Sequence, residues 1–284
     1  MSIYYNGKEL PINYMAREKE YIGVELGSIG YSSDDIPSLW KDGLEYAEEI
    51  KENWDSSITS MNSKYEGDTS LVFFPMIDTS KVTNMQKTFS GCEKLTTIPQ
   101  LDTSKVTSMT GCFKGCTSLT TIPELDTSNV TSIGYCFQGC TSLTTIPKLN
   151  TSKLTDARDI TYLCSGCSSL KRVEEISFKG IGKVYSSDFI FSSSNTSCSY
   201  LLIKDIGTKS ACTTIDTTYA RVWGINDEDN PDARQSLIDS LLTYSFDRAT
   251  AGYSNCTIKL YSTVKALLTE EEINQIQAKG YIIS

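Results

Sequence analysis

The chain contains no histidine. That absence removes Ser-His and Cys-His activation of a nucleophile, and it removes mixed Cys/His zinc sites. No apolar run approaches the roughly 18 residues that a membrane-crossing helix needs, so no membrane insertion is expected. Positive charge is in deficit, with a net charge of −9 and a pI near 4.7. Neither nucleic acid nor an anionic membrane is therefore an expected partner. The opening "MSIYYNGKELPINY" lacks the basic start and apolar stretch of a secretion signal. The expectation is a protein made and kept in the cytoplasm until something else moves it, with its thiols reduced.

Also missing are a nucleophile beside a base, a repeated carboxylate pair, a Gly-rich phosphate loop and a metal cluster. The sequence thus predicts no enzyme, no metal site and no cofactor. Glu270, Glu271 and Glu272 read as the first turn of a helix, where carboxylates favour the dipole. Asp102 and Asp126 read as turn formers.

What is present is a repeat. "TFSGCEKLTTIPQLDTSKVTS" starts at Thr88, and close copies start at Cys112 and Cys136. The step is constant from column to column: Cys at 92, 116 and 140, Leu at 95, 119 and 143, Ile at 98, 122 and 146. The D/N-T-S step opens at 78, 102, 126 and 150. Upstream the pattern decays in register, with Tyr65 in the Phe slot and Asp68 in the Cys slot. Downstream one more copy carries three extra residues before Gly166.

A unit of roughly 24 residues is too short to bury its own core, so it predicts a stack. The expected fold class is an α/β repeat solenoid of about five coils over residues 54–176. "SLTTIP" predicts a short strand ended by proline, "DTSxVTSM" a second strand entered through an Asx turn, and "GCFKGC" a helical turn. The pairs Cys112/Cys116, Cys136/Cys140 and Cys164/Cys167 have metal-like spacing. Yet Lys64, Thr88 and Asp68 occupy the same slots in earlier copies. Stacked core thiols are the expected reading.

Three segments follow. Residues 1–53 are expected to be a strand-rich anchor plus an amphipathic capping helix, with an Asn-Gly hairpin in "IYYNGKEL". Residues 54–176 carry the repeat, and 177–284 form a mixed α/β C-terminal cap. In that cap Thr269 and Glu272 make a capping box. If Leu and Ile of "SLTTIP" point inward, Thr97, Thr121 and Thr145 form an outward ladder. Gln100, Glu124 and Lys148 beside them vary in charge, as positions on a display face can.

"FxGCxSLTTIPxLDTSxVTSM" resembles the repeats of BspA-like leucine-rich-repeat surface proteins. The tail from Arg234 is similar to the caps that follow such repeats in gut Bacteroidetes and their phages. The resemblance implies a leucine-rich-repeat stack and a non-enzymatic binding role. "MSIYYNGKEL" is similar to the openings of phage structural proteins. The expected function is therefore a phage virion protein, a head or tail fibre or decoration component. Its N-terminal segment, through Tyr4, Tyr5 and Tyr14, would join other virion proteins. Its repeat would meet a host-surface glycan or protein, and a homo-oligomer is expected. The alternative is an adhesin-like protein of the bacterial cell surface.

Overall fold

The repeating unit contains two backbone positions that a strand cannot hold. Lys87 has φ 53° and Gly91 has φ 77°, and the pair recurs as Gly111/Gly115 and Tyr135/Gly139. Left-handed residues reverse the chain, so a unit is built from turns. At Gly91 the left-handed φ is what disfavours a side chain, since a Cβ would only touch the Gly67 backbone, at 3.4 Å.

A computed structural model describes residues 2–5, 8–11, 38–181, 183–184, 198, 200–208, 214–216, 231–260 and 262–284. It corrects the expected fold class. The described residues form a mixed α/β protein of few short strands, not an α/β repeat solenoid or a leucine-rich-repeat stack of strand-built coils. Between residues 54 and 144 there is no extended strand, only isolated parallel bridges such as Ser60 to Asn84 and Asn84 to Ser108. Of the "SLTTIP" copies, only one yields a strand, and that strand is two residues long.

The strands fall into three small sheets. β1 (Ser2–Tyr5) and β2 (Lys8–Pro11) pair antiparallel, with Tyr5 opposite Lys8. The second sheet is parallel, in the order β3 (Thr145–Ile146), β4 (Arg172–Ser177) and β6 (Tyr200–Lys204). It continues past position 176, where the recognisable repeat ends. The third sheet, also parallel, runs β5 (Lys183–Val184), β7 (Thr214–Asp216), β8 (Cys256–Lys259) and β9 (Tyr281–Ile283).

Equivalent residues of successive units nevertheless touch. Met61, Met85 and Met109 each donate their amide to the next unit, to the carbonyls of Asn84, Ser108 and Ser132. Tyr65 stacks on Phe89, Phe89 on Phe113 and Phe113 on Phe137, with centroids 5.8, 5.4 and 5.7 Å apart. The Leu, Ile, Val and Cys columns complete one continuous core. Burying a Leu side chain fully contributes about 1.5–3 kcal/mol. Asp78, Asp102, Asp126 and Asn150 each accept the amide two residues on, which is the expected Asx turn.

Helices stand at both ends. α1 (Ser38–Glu52) buries Ala47 against Val72 and Phe73, with Leu44 packed beside them. By sequence Ser33 or Asp34 can cap this helix, and both lie outside the described residues. At the other end α2 (Pro231–Ile238) continues as a π-helical turn, Asp239–Thr243. Ser236 and Ser240 accept hydrogen bonds from the amides of Leu201 and Ile203, so the helix covers the β6 edge. α3 (Ser262–Lys265) is a single turn. α4 (Glu270–Ala278) carries the Thr269/Glu272 capping box.

Candidate interaction face

The cysteine column explains itself once its partners are seen. The thiols of Cys92, Cys116, Cys140 and Cys167 donate to the carbonyls of Tyr65, Phe89, Phe113 and Phe137, at 2.9–3.0 Å. Each links its unit to the one before. A small, weak donor fits this crowded slot. The nine described cysteines are buried thiols outside any disulfide, and Cys212 lies outside the described residues. Burial pushes the Cys92 thiol up to about 12 and also raises Cys112, Cys116 and Cys136. Such thiols are poor nucleophiles. Among the described residues no group of three or more Cys, Asp or Glu could hold a metal ion.

Asp68 stands in the same slot of the first unit, where the neighbour is α1. There it accepts a hydrogen bond from the Tyr46 hydroxyl at 2.7 Å and another from the Ser70 amide at 2.9 Å. The acceptor replaces a donor because the partner is now a hydroxyl.

The threonines of "SLTTIP" divide into two columns. Thr96, Thr120 and Thr144 are half-buried and donate to the carbonyls of Val72, Thr96 and Thr120. Thr97 is only 5% exposed, while Thr121 and Thr145 are half-buried. Thr97 bridges Phe73, which α1 covers. The outward hydroxyls nearest to a ladder are instead the exposed Thr83, Thr107 and Thr131, which donate to the carbonyls of Thr59, Thr83 and Thr107.

Gln100, Glu124 and Lys148 are exposed. Gln100 donates to the Glu124 carbonyl at 2.6 Å, and Lys148 pairs with Glu175 at 3.2 Å. Glu175 also pairs with Lys204 at 2.7 Å. Although burial opposes its ionisation, these two lysines hold its carboxyl below the usual range. Tyr4 and Tyr5 lie in β1, and Tyr14 lies outside the described residues.

Sequence reading missed the far end of this face. Thr145 pairs with Arg172 in register, and Arg172 with Tyr200. The Arg172 guanidinium lies 3.5 Å over the Tyr200 ring, and its Nε donates to Glu174 at 2.7 Å. Lys204 sits 4.4 Å over the ring of Tyr244. These pairs are invisible to a search at the repeat's own period. The step lengthens where Ile146 pairs with Val173, and again where Val173 pairs with Leu201. A search that let the period drift would have reached them.

Among the described residues no helix is long and apolar enough to cross a membrane. No curated protein and no solved structure matches the chain. Residues 35–96 and 59–173 match the model of a family described as "Mycoplasma protein of unknown function, DUF285". Over its repeat the chain is therefore similar to that family, whose repeats are related to the BspA-like surface repeats.

Proposed function

We propose that the chain is a non-enzymatic phage virion protein, a head or tail fibre or decoration component that presents its repeat face to a host surface. The observation that carries this reading is the division of labour within each unit. Slots facing inward hold Leu, Ile, Phe and Cys in register, while Gln100, Glu124 and Lys148 change size and charge on the exposed side. Such a surface suits contact with a partner, since outer residues can vary without disturbing the core. The β1–β2 hairpin lies outside the repeat and supplies an attachment segment for other virion proteins, with assembly as a homo-oligomer. Mass spectrometry of purified particles tests this reading, and absence of the chain from them sinks it.

The second reading is an adhesin-like protein of the bacterial cell surface. The similarity to a bacterial family over 35–96 and 59–173 favours it. Labelling of intact cells with an impermeant biotin reagent separates the two: tagging of this chain on uninfected cells supports the second.

A further inference from the structure

One of the left-handed positions of the unit is occupied, in order, by Ser63, Lys87, Gly111, Tyr135 and Tyr162. Amide bonds from Lys87 to Thr110, from Gly111 to Gly134 and from Tyr135 to Thr161 stack these positions into one column. Glycine holds a left-handed φ at no steric cost, whereas a bulky side chain is strained there. Gly111 shows that the turn itself needs no side chain. Tyrosine nevertheless stands in the slot twice.

Burial does not offset that strain. Tyr135 is 37% exposed and Tyr162 is half-buried. Their rings lie together, with centroids 5.5 Å apart and planes tilted by 37°. Strain kept at a surface position points to a use for the side chain rather than for the turn. On the other side of Tyr135 the column is open. A Cβ at Gly111 would meet only Lys87 Cγ at 3.5 Å and Lys114 Cβ at 3.9 Å, and no atom of Tyr135 lies within 4 Å of it. The missing side chain leaves a notch in the column between Lys87 and Tyr135.

A polar row runs beside the column. Gly67, Gly91, Gly115 and Gly139 donate their amides to the carbonyls of Ser90, Lys114, Gln138 and Ser165, which sets these four side chains on successive units. None of the four is acidic, and Glu66, which precedes Ser90 in the row, is paired with Lys87 at 3.3 Å. The Lys114 ammonium lies 5.8 Å from the centre of the Tyr135 ring. Aromatic faces bordered by hydroxyl, amide and ammonium groups match a sugar, whose C–H face packs on a ring while its hydroxyls reach the polar row. A single exposed lysine contributes little attraction to an anion, so the match is to a neutral sugar.

We propose that Tyr135 and Tyr162, with Gly111, Lys114 and Gln138, form a subsite for one pyranose ring of a neutral surface glycan. This rests on the reading of the chain as a surface-contact module, whichever particle or cell carries it.

The test is calorimetric titration of the full chain with tetramers of glucose, galactose and mannose. At least one should bind, with an affinity that high salt leaves within twofold. Tyr135→Ala and Tyr162→Ala should each lose at least tenfold, and Tyr135→Phe, which keeps the ring, should stay within about threefold. Gly111→Asn fills the notch with a residue that tolerates the left-handed region, and it should lose at least fivefold. Tyr135→Gly separates recognition from folding: it should lose binding without lowering the thermal midpoint, because it relieves the strained position. No binding of any of the three tetramers, equal binding by Tyr135→Ala, or a marked fall in the midpoint of Tyr135→Gly overturns the proposal. The particle test of the previous section does not measure sugar binding, so either result can fail without the other.

Discussion

The thiol of Cys116 donates a hydrogen bond to the carbonyl oxygen of Phe89 across 3.0 Å. Donor and acceptor belong to adjacent units, so the bond joins them rather than closing a turn. The same contact recurs at Cys92, Cys140 and Cys167. A buried thiol engaged in this way is neither a ready nucleophile nor a free metal ligand. Native labelling with a maleimide should therefore be slow at all nine described cysteines, and denatured labelling should recover ten. Fast native labelling, or zinc retained on purification, would contradict the core role.

Charge tolerance should follow the columns. Leu119 is fully buried, and Leu119→Asp places a carboxylate between two packed units at a cost of at least several kcal/mol. Lys105 is exposed, and Lys105→Ala should stay within about 0.5 kcal/mol. Urea unfolding of the two variants makes the comparison.

The Asx-turn carboxylates should make the fold acid-sensitive. For Asp102 and Asp126 the hydroxyls of Ser104 and Ser128, followed by their amides, hold the carboxyls below the ordinary 3.8. A depressed folded value means stability that is complete above about pH 4 and is lost as pH falls through the folded values. Asp102→Asn keeps the acceptor without the titration, as Asn150 already does further along the same column. The triple exchange at Asp78, Asp102 and Asp126 should flatten the acid limb of a thermal-unfolding profile. An unchanged limb would place the acid sensitivity elsewhere.

Tyr46 gives the alkaline counterpart. Burial, then its bond to Asp68, pushes the phenol up to about 12. A raised folded value contributes stability that is present below the unfolded value of 10.0 and is lost as pH rises through the folded one. Ultraviolet titration of the Tyr46→Phe variant should therefore lose one phenol from the late-ionising group and none from those that ionise at the ordinary value. Tyr46→Phe should also cost about 1–2 kcal/mol, since Asp68 loses a hydrogen-bond donor.

Two glycines with similar backbones should respond differently. Gly207 has φ +78° and Gly252 φ +70°, so alanine is strained at both. A Cβ at Gly207 would lie 2.3 Å from the Tyr281 hydroxyl, whereas at Gly252 nothing lies within 4 Å. That hydroxyl donates to the carbonyls of Ile206 and Phe246 at 2.5 and 2.8 Å. Gly252→Ala should cost about 1 kcal/mol. Gly207→Ala should cost at least about 2 kcal/mol more, because the clash displaces a buried hydrogen bond. Equal losses in thermal unfolding would mean the tail does not lock where Tyr281 places it.

By itself the sequence determined which residues are equivalent. In-phase recurrence marks Leu95, Leu119 and Leu143 as one inward column and puts Tyr65 in the slot of Phe89. The reason is that identical packing environments select identical side chains. Local chemistry was legible too, as in the Asx turns and the Thr269/Glu272 box, since each partner lies within a few residues. Only the tertiary structure decided how the backbone fills a unit. Periodicity reports which side chains repeat but not how far neighbouring backbones pair, and most of the expected strands are isolated bridges. It also decided what lies against each column. α1 covers Phe73 beside Thr97 from outside the repeat, and the lengthened steps after Ile146 bring Arg172 onto Tyr200. Neither contact follows from spacing, because each depends on where a distant segment comes to rest.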